Sequence, residues 1–432
     1  MEQRTPVCKV TGFAISCGFC LLFLFILLLY SGKENYSPFK QAPYAMKANR
    51  LGVLEQNKLD QLQRNCKALF EGDRHAVMQA KKAMETPKKA LTPDFYKTAL
   101  SDCTAFKNKR KYILSASPEE KKFPLAFSIL VYKDIEQVER LLRAVYRPHN
   151  FYCIHVDSKS PKDFYEAVVL LSECLENVFM APRRVDVRWA EFSVLEPEIL
   201  CMRELLKKKN WKYFLNLVGQ EFPLKTNKEL VKILQTYNNS NDIDGNIKSR
   251  NLDRTEYVWS GFYRTNVKKS PPRWKIKLAK GSVHIAATRG YVDYVINSEI
   301  GKYFLEWVKD TGTPDETFFA TLNINPHLKV PGAFTGDIEK KPFLTRYKLW
   351  LYGEDAKYCG GKVVRAICVF GVTDLPKLLS RKELFANKFH LTFEPLAYDC
   401  MEELYFNRTA NEDHFPIDVD YYSSLPFVKQ HI

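Results

Sequence analysis

Between Lys9 and Lys33 the chain carries no charge, and "VTGFAISCGFCLLFLFILLLYS" is long enough to cross a bilayer as a helix. Its leucines run to the end without a small-residue cleavage motif, which favours an uncleaved anchor over a removed leader. Residues 31–60 are polar and lack a sustained apolar period, as expected of a stem. Residues 61–120 hold helical patches such as "HAVMQAKKAMET", and "KNKRKY" (107–112) reads as a solvated basic face. From Phe123 the pattern sharpens. "LAFSILVY" (125–132), "NFYCIHVD" (150–157), "NVFMAP" (177–182) and "KYFLNLVG" (212–219) are short apolar runs that predict buried strands. They alternate with helices expected at 134–146, 161–175 and 193–208; the first places Ile135, Val138, Leu141, Leu142 and Val145 on one face. That alternation predicts an α/β domain, a mostly parallel sheet with helices on both faces. Such sheets bind ligands at the carboxyl ends of their strands, where Asp157 and "GQEFPLKT" (219–226) should lie. Residues 238–280 look irregular, "GYVDYVINSEIGKYFLEWVKDT" reads as a helix pair, "VVRAICVFG" (363–371) as a strand, and residues 403–432 as a peripheral C-terminal tail.

Cysteine placement adds a compartment. Three cysteines lie in or beside the apolar segment, and Cys66, Cys103, Cys153, Cys174, Cys201, Cys359, Cys368 and Cys400 are dispersed beyond it. Zinc sites want close pairs, whereas an even, scattered set behind an anchor suits disulfides in an oxidising lumen. Sequons at Asn35, Asn238 and Asn407 agree with that compartment. The expected organisation is a cytoplasmic tail (1–9), a transmembrane signal-anchor (10–30) and a stem (31–60), followed by a luminal body of a helical region (61–120) and the α/β domain (121–402).

The formal charge of +15 would suggest nucleic acid in a nuclear protein. In the secretory lumen, anionic lipid, acidic glycan or a phosphorylated small substrate fit better. No GxGxxG follows the first strand and no GxxxxGK[ST] occurs, which excludes the usual dinucleotide and P-loop readings. A luminal α/β domain handling an activated anionic substrate suggests a nucleotide-sugar glycosyltransferase. Of the acidic triplets that could hold a divalent metal, "DID" (242–244) has no strand before it and "DVD" (418–420) lies in the tail. Without a metal, fixed cations must offset the diphosphate, and Arg365 and Lys388 are candidates.

Five ordered motifs carry a resemblance: "FPLAFSILVYKDIEQVERLLRAVYRPHNFYCIHVDSKS", "WKYFLNLVGQEFPLKTN", "WVKDTGTPDETFFATL", "AICVFGVTDL" and "LFANKF". Together, over roughly residues 95–402, the chain resembles the core 2 and I-branching β-1,6-N-acetylglucosaminyltransferases, glycosyltransferase family 14. The resemblance implies a GT-A-type, Rossmann-like fold and a Golgi enzyme that transfers N-acetylglucosamine from UDP-N-acetylglucosamine with inversion. It implies no cofactor and no divalent metal. Glu316 would be the general base. Leu130, Tyr132, Asp157, Trp189, Arg365 and Lys388 would bind the donor, and Arg254, Trp350 and Tyr352 the acceptor. The family's disulfides would join Cys66 to Cys400, Cys103 to Cys174, Cys153 to Cys201 and Cys359 to Cys368. The chain departs from the family pattern at Val218, where a cysteine is usual, and at His284, which replaces a tyrosine. The acceptor implied is the GalNAc of a Galβ1-3GalNAc O-glycan on a glycoprotein. Alternatives are branching on galactose of a lactosamine chain, peptide O-xylosyl transfer, or a catalytically silent lectin.

One stretch supports two readings. In "TPDETFFAT" (313–321) Thr313 fits an N-cap, Pro314 the first helical position and Glu316 the third, a capping box. Phe318, Phe319 and Leu322 then face the core. The alternative is that Glu316 points into the site and removes the acceptor's proton, while Asp315 is structural.

Overall fold

Four of the apolar runs become neighbours in one sheet. The computed structural model describes residues 65–85, 89–352 and 356–432. The expected anchor, the stem and Asn35 lie outside the described residues. Among the described residues no helix is long and apolar enough to cross a membrane.

Strands β1 (Leu125–Val131), β2 (Phe151–Val156), β3 (Val178–Met180) and β4 (Tyr213–Val218) are mutually parallel, with β1 between β2 and β4. Helices Ile135–Val145, Lys162–Glu173 and Glu196–Leu206 connect them in turn, within two or three residues of the expected bounds. Side-chain alternation along a strand separates two cores. Leu125, Phe127 and Ile129 of β1 join Tyr213, Leu215 and Leu217 of β4 on one face, while Ala126, Cys153 and Phe214 enter the other. Strand polarity is satisfied internally. Ser128 Oγ donates to Glu198, and Asn216 Nδ2 donates to Glu198 Oε1 at 3.1 Å.

The segment expected to be irregular is largely ordered. After β5 (Glu221–Pro223) come β6 (Asp242–Ile243), a hairpin of β7 (Tyr257–Ser260) and β8 (Tyr263–Lys268), and β9 (Ile285–Thr288). Strands β9 and β6 extend the main sheet antiparallel, giving the order β3-β2-β1-β4-β9-β6. Their shortness hid them: two and four residues carry too little periodicity to stand out. Because successive strands run outward from β1 through β2 to β3 and then cross to β4, the strand order reverses between β1 and β4. The crevice at that reversal is where open α/β sheets bind ligands.

The expected strand 363–371 is instead a hairpin, β11 (Lys362–Val364) and β12 (Ile367–Val369), following β10 (Arg346–Lys348). Its two loop residues, Arg365 and Ala366, have φ of 52° and 62°, the left-handed pair that a tight two-residue hairpin needs. Strand β13 (Phe385–Asn387) lies between β10 and β5 in a small second sheet.

Residues beyond 402 are not peripheral. Tyr422, Leu425 and Phe427 enter the main core together with Tyr96, Leu100, Phe106 and Tyr112 from the N-terminal helices. Nor is "KNKRKY" wholly solvated, since Tyr112 is buried and Arg110 Nε donates to the buried Glu139 at 3.1 Å. Disulfides join Cys66 to Cys400, Cys103 to Cys174, Cys153 to Cys201 and Cys359 to Cys368, the same pairs that the resemblance implies. Each closes a loop in the unfolded chain and contributes typically about 2–4 kcal/mol. Asn238 is exposed, with φ of 48°, just after the helix Asn227–Thr236. Asn407 is half-buried within the helix Pro395–Ala410 and accepts from Asn411 Nδ2 at 2.9 Å.

Candidate active site

The turn that carries Glu316 has a different geometry from the capping box its sequence suggests. Thr313 has φ of 53° and its side chain caps nothing; Pro314–Glu316 forms a 3-10 turn, and the helix Phe318–Asn323 starts only afterwards. Three contacts with neighbouring segments replace the cap. Thr313 N–H donates to Ala190 O at 3.0 Å, Gly312 N–H to Arg254 O at 2.8 Å, and Gly281 N–H to Glu316 O at 2.6 Å. Phe318, Phe319 and Leu322 are fully buried behind the turn and anchor it.

The Glu316 side chain is therefore free of helix-capping duty. Arg254 Nη1 donates to its Oε2 at 2.6 Å, and Lys280 Nζ stands 3.9 Å away. Among the described residues no group donates to Oε1. Arg254 sits on the short helix Asp253–Glu256 that leads into β7.

Asp315 has the opposite environment. It is buried, Oδ1 has no partner, and burial, with the adjacent Glu316, pushes its carboxyl up to about 7. Lys348 and Arg254 oppose that shift. Lys348 was not singled out in the sequence. Burial pulls its ammonium down to about 8, against the nearby carboxylates of Glu221, Asp244 and Asp315. Only the tertiary fold surrounds this lysine with acids, so its position in "RYKLW" gives no signal.

At the carboxyl ends of β1 and β2 lie Leu130, Tyr132 and Asp157, three of the residues expected to bind the donor. Leu130 is half-buried on β1, and its carbonyl accepts from Gly219 N–H at 3.0 Å. Tyr132, half exposed, reaches Gln220 Oε1 from its hydroxyl at 3.5 Å. Asp157 follows β2, and Lys159 holds its carboxylate, with Nζ at 3.1 Å from Oδ2. Lys388, just after β13, is buried and donates from Nζ to Val364 O at 3.1 Å. Burial lowers its ammonium, and the charges of Arg365 and Lys133 lower it further. His390 feels Lys133, Lys388 and Lys362, and burial with these charges takes it down to about 4. Arg365, Lys388 and Lys133 thus form a concentration of positive charge beside the strand-order reversal. Lys133 was missed because it follows β1 as an ordinary surface lysine would.

Leu351 N–H donates to Ala366 O at 2.8 Å, which sets Trp350 and Tyr352 beside the Arg365 turn. Both rings are exposed, Tyr352 at 87%. On the other side Trp189, 69% exposed, is one residue from the Ala190 carbonyl that holds the Glu316 turn. The expected residues therefore fall into two groups, Glu316, Arg254 and Trp189 in one and Tyr132, Arg365 and Lys388 in the other. Lys348 electrostatically couples to the first, and Trp350 and Tyr352 adjoin the second.

A polar knot joins the three strands of the second sheet, and Arg346 Nη2 also donates to Asn216 O of β4 in the first. Arg346 Nε donates to Glu221 Oε1 at 2.9 Å, as does Asn387 Nδ2, and His284 Nε2 stands 3.3 Å from the same oxygen. Burial drives His284 well below the ordinary range, so the imidazole is neutral and packed. In the "DID" triplet, Asp242 is engaged by Lys341 Nζ at 3.2 Å, Leu344 N–H at 3.0 Å and Thr345 Oγ1 at 2.8 Å. That carboxylate is a structural anchor of β6. Among the described residues no cluster of three or more His, Cys, Asp or Glu side chains could hold a metal ion.

A family model described as Core-2/I-Branching enzyme matches residues 125–379. The chain is 38% identical over 358 residues to human beta-1,3-galactosyl-O-glycosyl-glycoprotein beta-1,6-N-acetylglucosaminyltransferase 3, covering 78% of this chain and 82% of that protein. A second human protein of that name without the numeral is 36% identical over 359 residues, covering 78% and 84%. The protein of the same name from bovine herpesvirus 4 (strain LVR140) is 38% identical over 357 residues, covering 78% and 81%.

Proposed function

Because the chain belongs to the Core-2/I-branching enzyme family and is a glycosyltransferase, we propose that it transfers N-acetylglucosamine from UDP-N-acetylglucosamine in β-1,6 linkage to the GalNAc of Galβ1-3GalNAc O-glycans on glycoproteins. The proposal includes a GT-A-type fold, inversion at the anomeric carbon, no divalent metal, and a Golgi membrane location with the body in the lumen. Relatives named as β-1,6-N-acetylglucosaminyltransferases acting on galactosyl-O-glycosyl-glycoproteins support the acceptor class.

The observation that carries the mechanism is the separation of tasks along the rim. A carboxylate, Glu316, is gripped on one oxygen by Arg254 at 2.6 Å. Apart from it, Arg365, Lys388 and Lys133 bring positive charge together, with Lys388 Nζ donating to Val364 O at 3.1 Å beside Arg365. In the proposed reaction the cations hold the diphosphate and stabilise the charge that grows on it as the C1–O bond breaks. Glu316 Oε1 accepts the proton of the acceptor's 6-hydroxyl while that oxygen attacks C1 from the opposite face. UDP leaves with the bonding pair, and Glu316 releases the proton to solvent. Arg254 positions the carboxylate, a task that its backbone bond to Gly312 makes precise in space.

The test uses the full chain in detergent with UDP-N-acetylglucosamine and an aryl Galβ1-3GalNAc, with the product followed by mass with and without EDTA. A product one N-acetylhexosamine heavier, β-1,6-linked by NMR and formed equally with EDTA, is expected. Loss of product in EDTA would overturn the metal-free mechanism, and absence of product with UDP still bound would overturn the acceptor.

A further inference from the structure

Beside the Glu316 turn, next to the Trp189 ring that the resemblance gives to the donor, the protein exposes two further aromatic rings that the proposed reaction does not use. The β7–β8 hairpin turns through Gly261 and Phe262, Gly261 having the positive φ, 59°, that a tight turn of this kind takes at its first loop position. Phe262 is half exposed and Tyr263 is 79% exposed at the tip. The Phe262 ring stacks on Trp189, with centroids 5.8 Å apart and 25° between planes. Tyr263 at the hairpin tip and the outer faces of the Phe262–Trp189 pair therefore stand in solvent, where apolar surface costs hydration free energy.

This ledge is rigidly tied to the candidate base. Trp259 of the hairpin donates from Nε1 to Asp253 O at 2.9 Å, next to Arg254. Its indole lies so close to Gly312 that a Cβ there would sit 2.8 Å from it. Gly312 in turn bonds the Arg254 carbonyl, and Thr313 bonds Ala190, the neighbour of Trp189. The cations flanking the ledge are already paired, Arg264 standing 3.5 Å from Asp253 and over the Tyr257 ring and Lys269 pairing with Asp310, while the Glu191 carboxylate lies against Gly261 at the tip. An anionic ligand gains little there. A neutral ligand with an apolar face and a polar edge suits it, and a pyranose ring has both, its C–H face matching the electron-rich face of an aromatic ring.

We propose that Phe262 and Tyr263, beside the Trp189 ring that the resemblance gives to the donor, form a subsite for a pyranose ring of an elongated acceptor, beyond the sugar that receives the transferred group. The inference rests on the acceptor-glycan reading above. Because the ledge and Glu316 are held by the same hydrogen bonds, a glycan whose hydroxyl meets Glu316 can lay its next rings along the hairpin. The subsite would select longer O-glycans over the bare disaccharide without touching the chemistry.

The experiment compares wild type, F262A/Y263A and F262W in the full chain, with Galβ1-3GalNAc-aryl and with Galβ1-4GlcNAcβ1-3Galβ1-3GalNAc-aryl as acceptors. The double variant should raise KM for the tetrasaccharide about tenfold, the scale expected of lost ring contacts. Its kcat, its donor KM and its KM for the disaccharide should stay at wild-type values, and F262W should retain the preference. Equal loss on both acceptors, at unchanged melting temperature, would make the rings a mere support of the Glu316 turn and overturn the subsite. No change on either acceptor would overturn it as well. If wild type turned over neither acceptor, saturation-transfer NMR of the tetrasaccharide would decide separately. Signal lost in F262A/Y263A supports the subsite although the reaction assignment failed, and signal retained, or absent from wild type, overturns it.

Discussion

Replacing Asp315 by asparagine should stabilise the protein, and by an amount that grows with pH. Asp315 is buried in the Pro314–Glu316 turn, its Oδ1 has no partner, and its carboxyl rises from 3.8 to about 7. Burial is the main cause, with the neighbouring charge of Glu316 second. A carboxyl whose folded value lies above its unfolded value binds more protons when folded, so stability falls as pH climbs through that interval. The cost begins above the unfolded value of 3.8 and is complete above about 7. Near pH 5 it amounts to about 1–2 kcal/mol and near pH 8 to about 4 kcal/mol, at 1.36 kcal/mol per unit. Asparagine has nearly the same shape and does not ionise. The difference in unfolding free energy between D315N and wild type should therefore increase by about 2–3 kcal/mol from pH 5 to pH 8, other titrating groups cancelling between the two proteins. Urea unfolding followed by tryptophan fluorescence at both pH values measures it. A difference that is flat with pH would refute the reasoning. One that reverses would show that ionised Asp315 is paired, with Lys348 or Arg254 the partner.

Three further outcomes follow from the same geometry. Glu316→Gln should lower kcat by about a hundredfold to ten-thousandfold, the range of a lost general base, with UDP affinity by calorimetry little changed. Wild-type turnover in that variant would remove Glu316 from the mechanism. Arg365→Ala combined with Lys388→Ala removes the two cations proposed to hold the diphosphate and should weaken UDP binding by about a hundredfold or more. Unaltered UDP affinity would place the donor elsewhere. Leu215→Ala on β4 opens a cavity in a fully buried position and should cost about 2–5 kcal/mol in urea unfolding, with a smaller loss pointing to local collapse of the sheet.

Leu125–Val131 and Tyr213–Val218 illustrate what can be read from a chain alone. Long apolar runs have little choice but to be buried, and helices with their apolar side chains on one face must cover them, so the four-stranded parallel core and its connections follow from local pattern. The same holds for Phe318, Phe319 and Leu322. Motif order along the chain then carried the family, and with it Glu316, Arg365 and Lys388 as candidates.

Local pattern could not decide the features that depend on partners distant in the chain. Thr313 and Glu316 satisfy every local rule for a capping box, yet Ala190 and Arg254 offer the turn better partners and the box does not form. Arg365 read as a strand residue because nothing in "VVRAICVF" marks the two left-handed residues on which the hairpin closes. Lys133 and Lys348 look like surface lysines until folding places one in a positive cluster and the other among carboxylates. The sequence by itself determined that the four long apolar runs are buried strands covered by one-sided helices, since burial and periodicity over such lengths are properties of neighbours along the chain. Tertiary structure decided which charges face one another, because Coulomb and hydrogen-bond energies depend on distances in space to which sequence separation is blind.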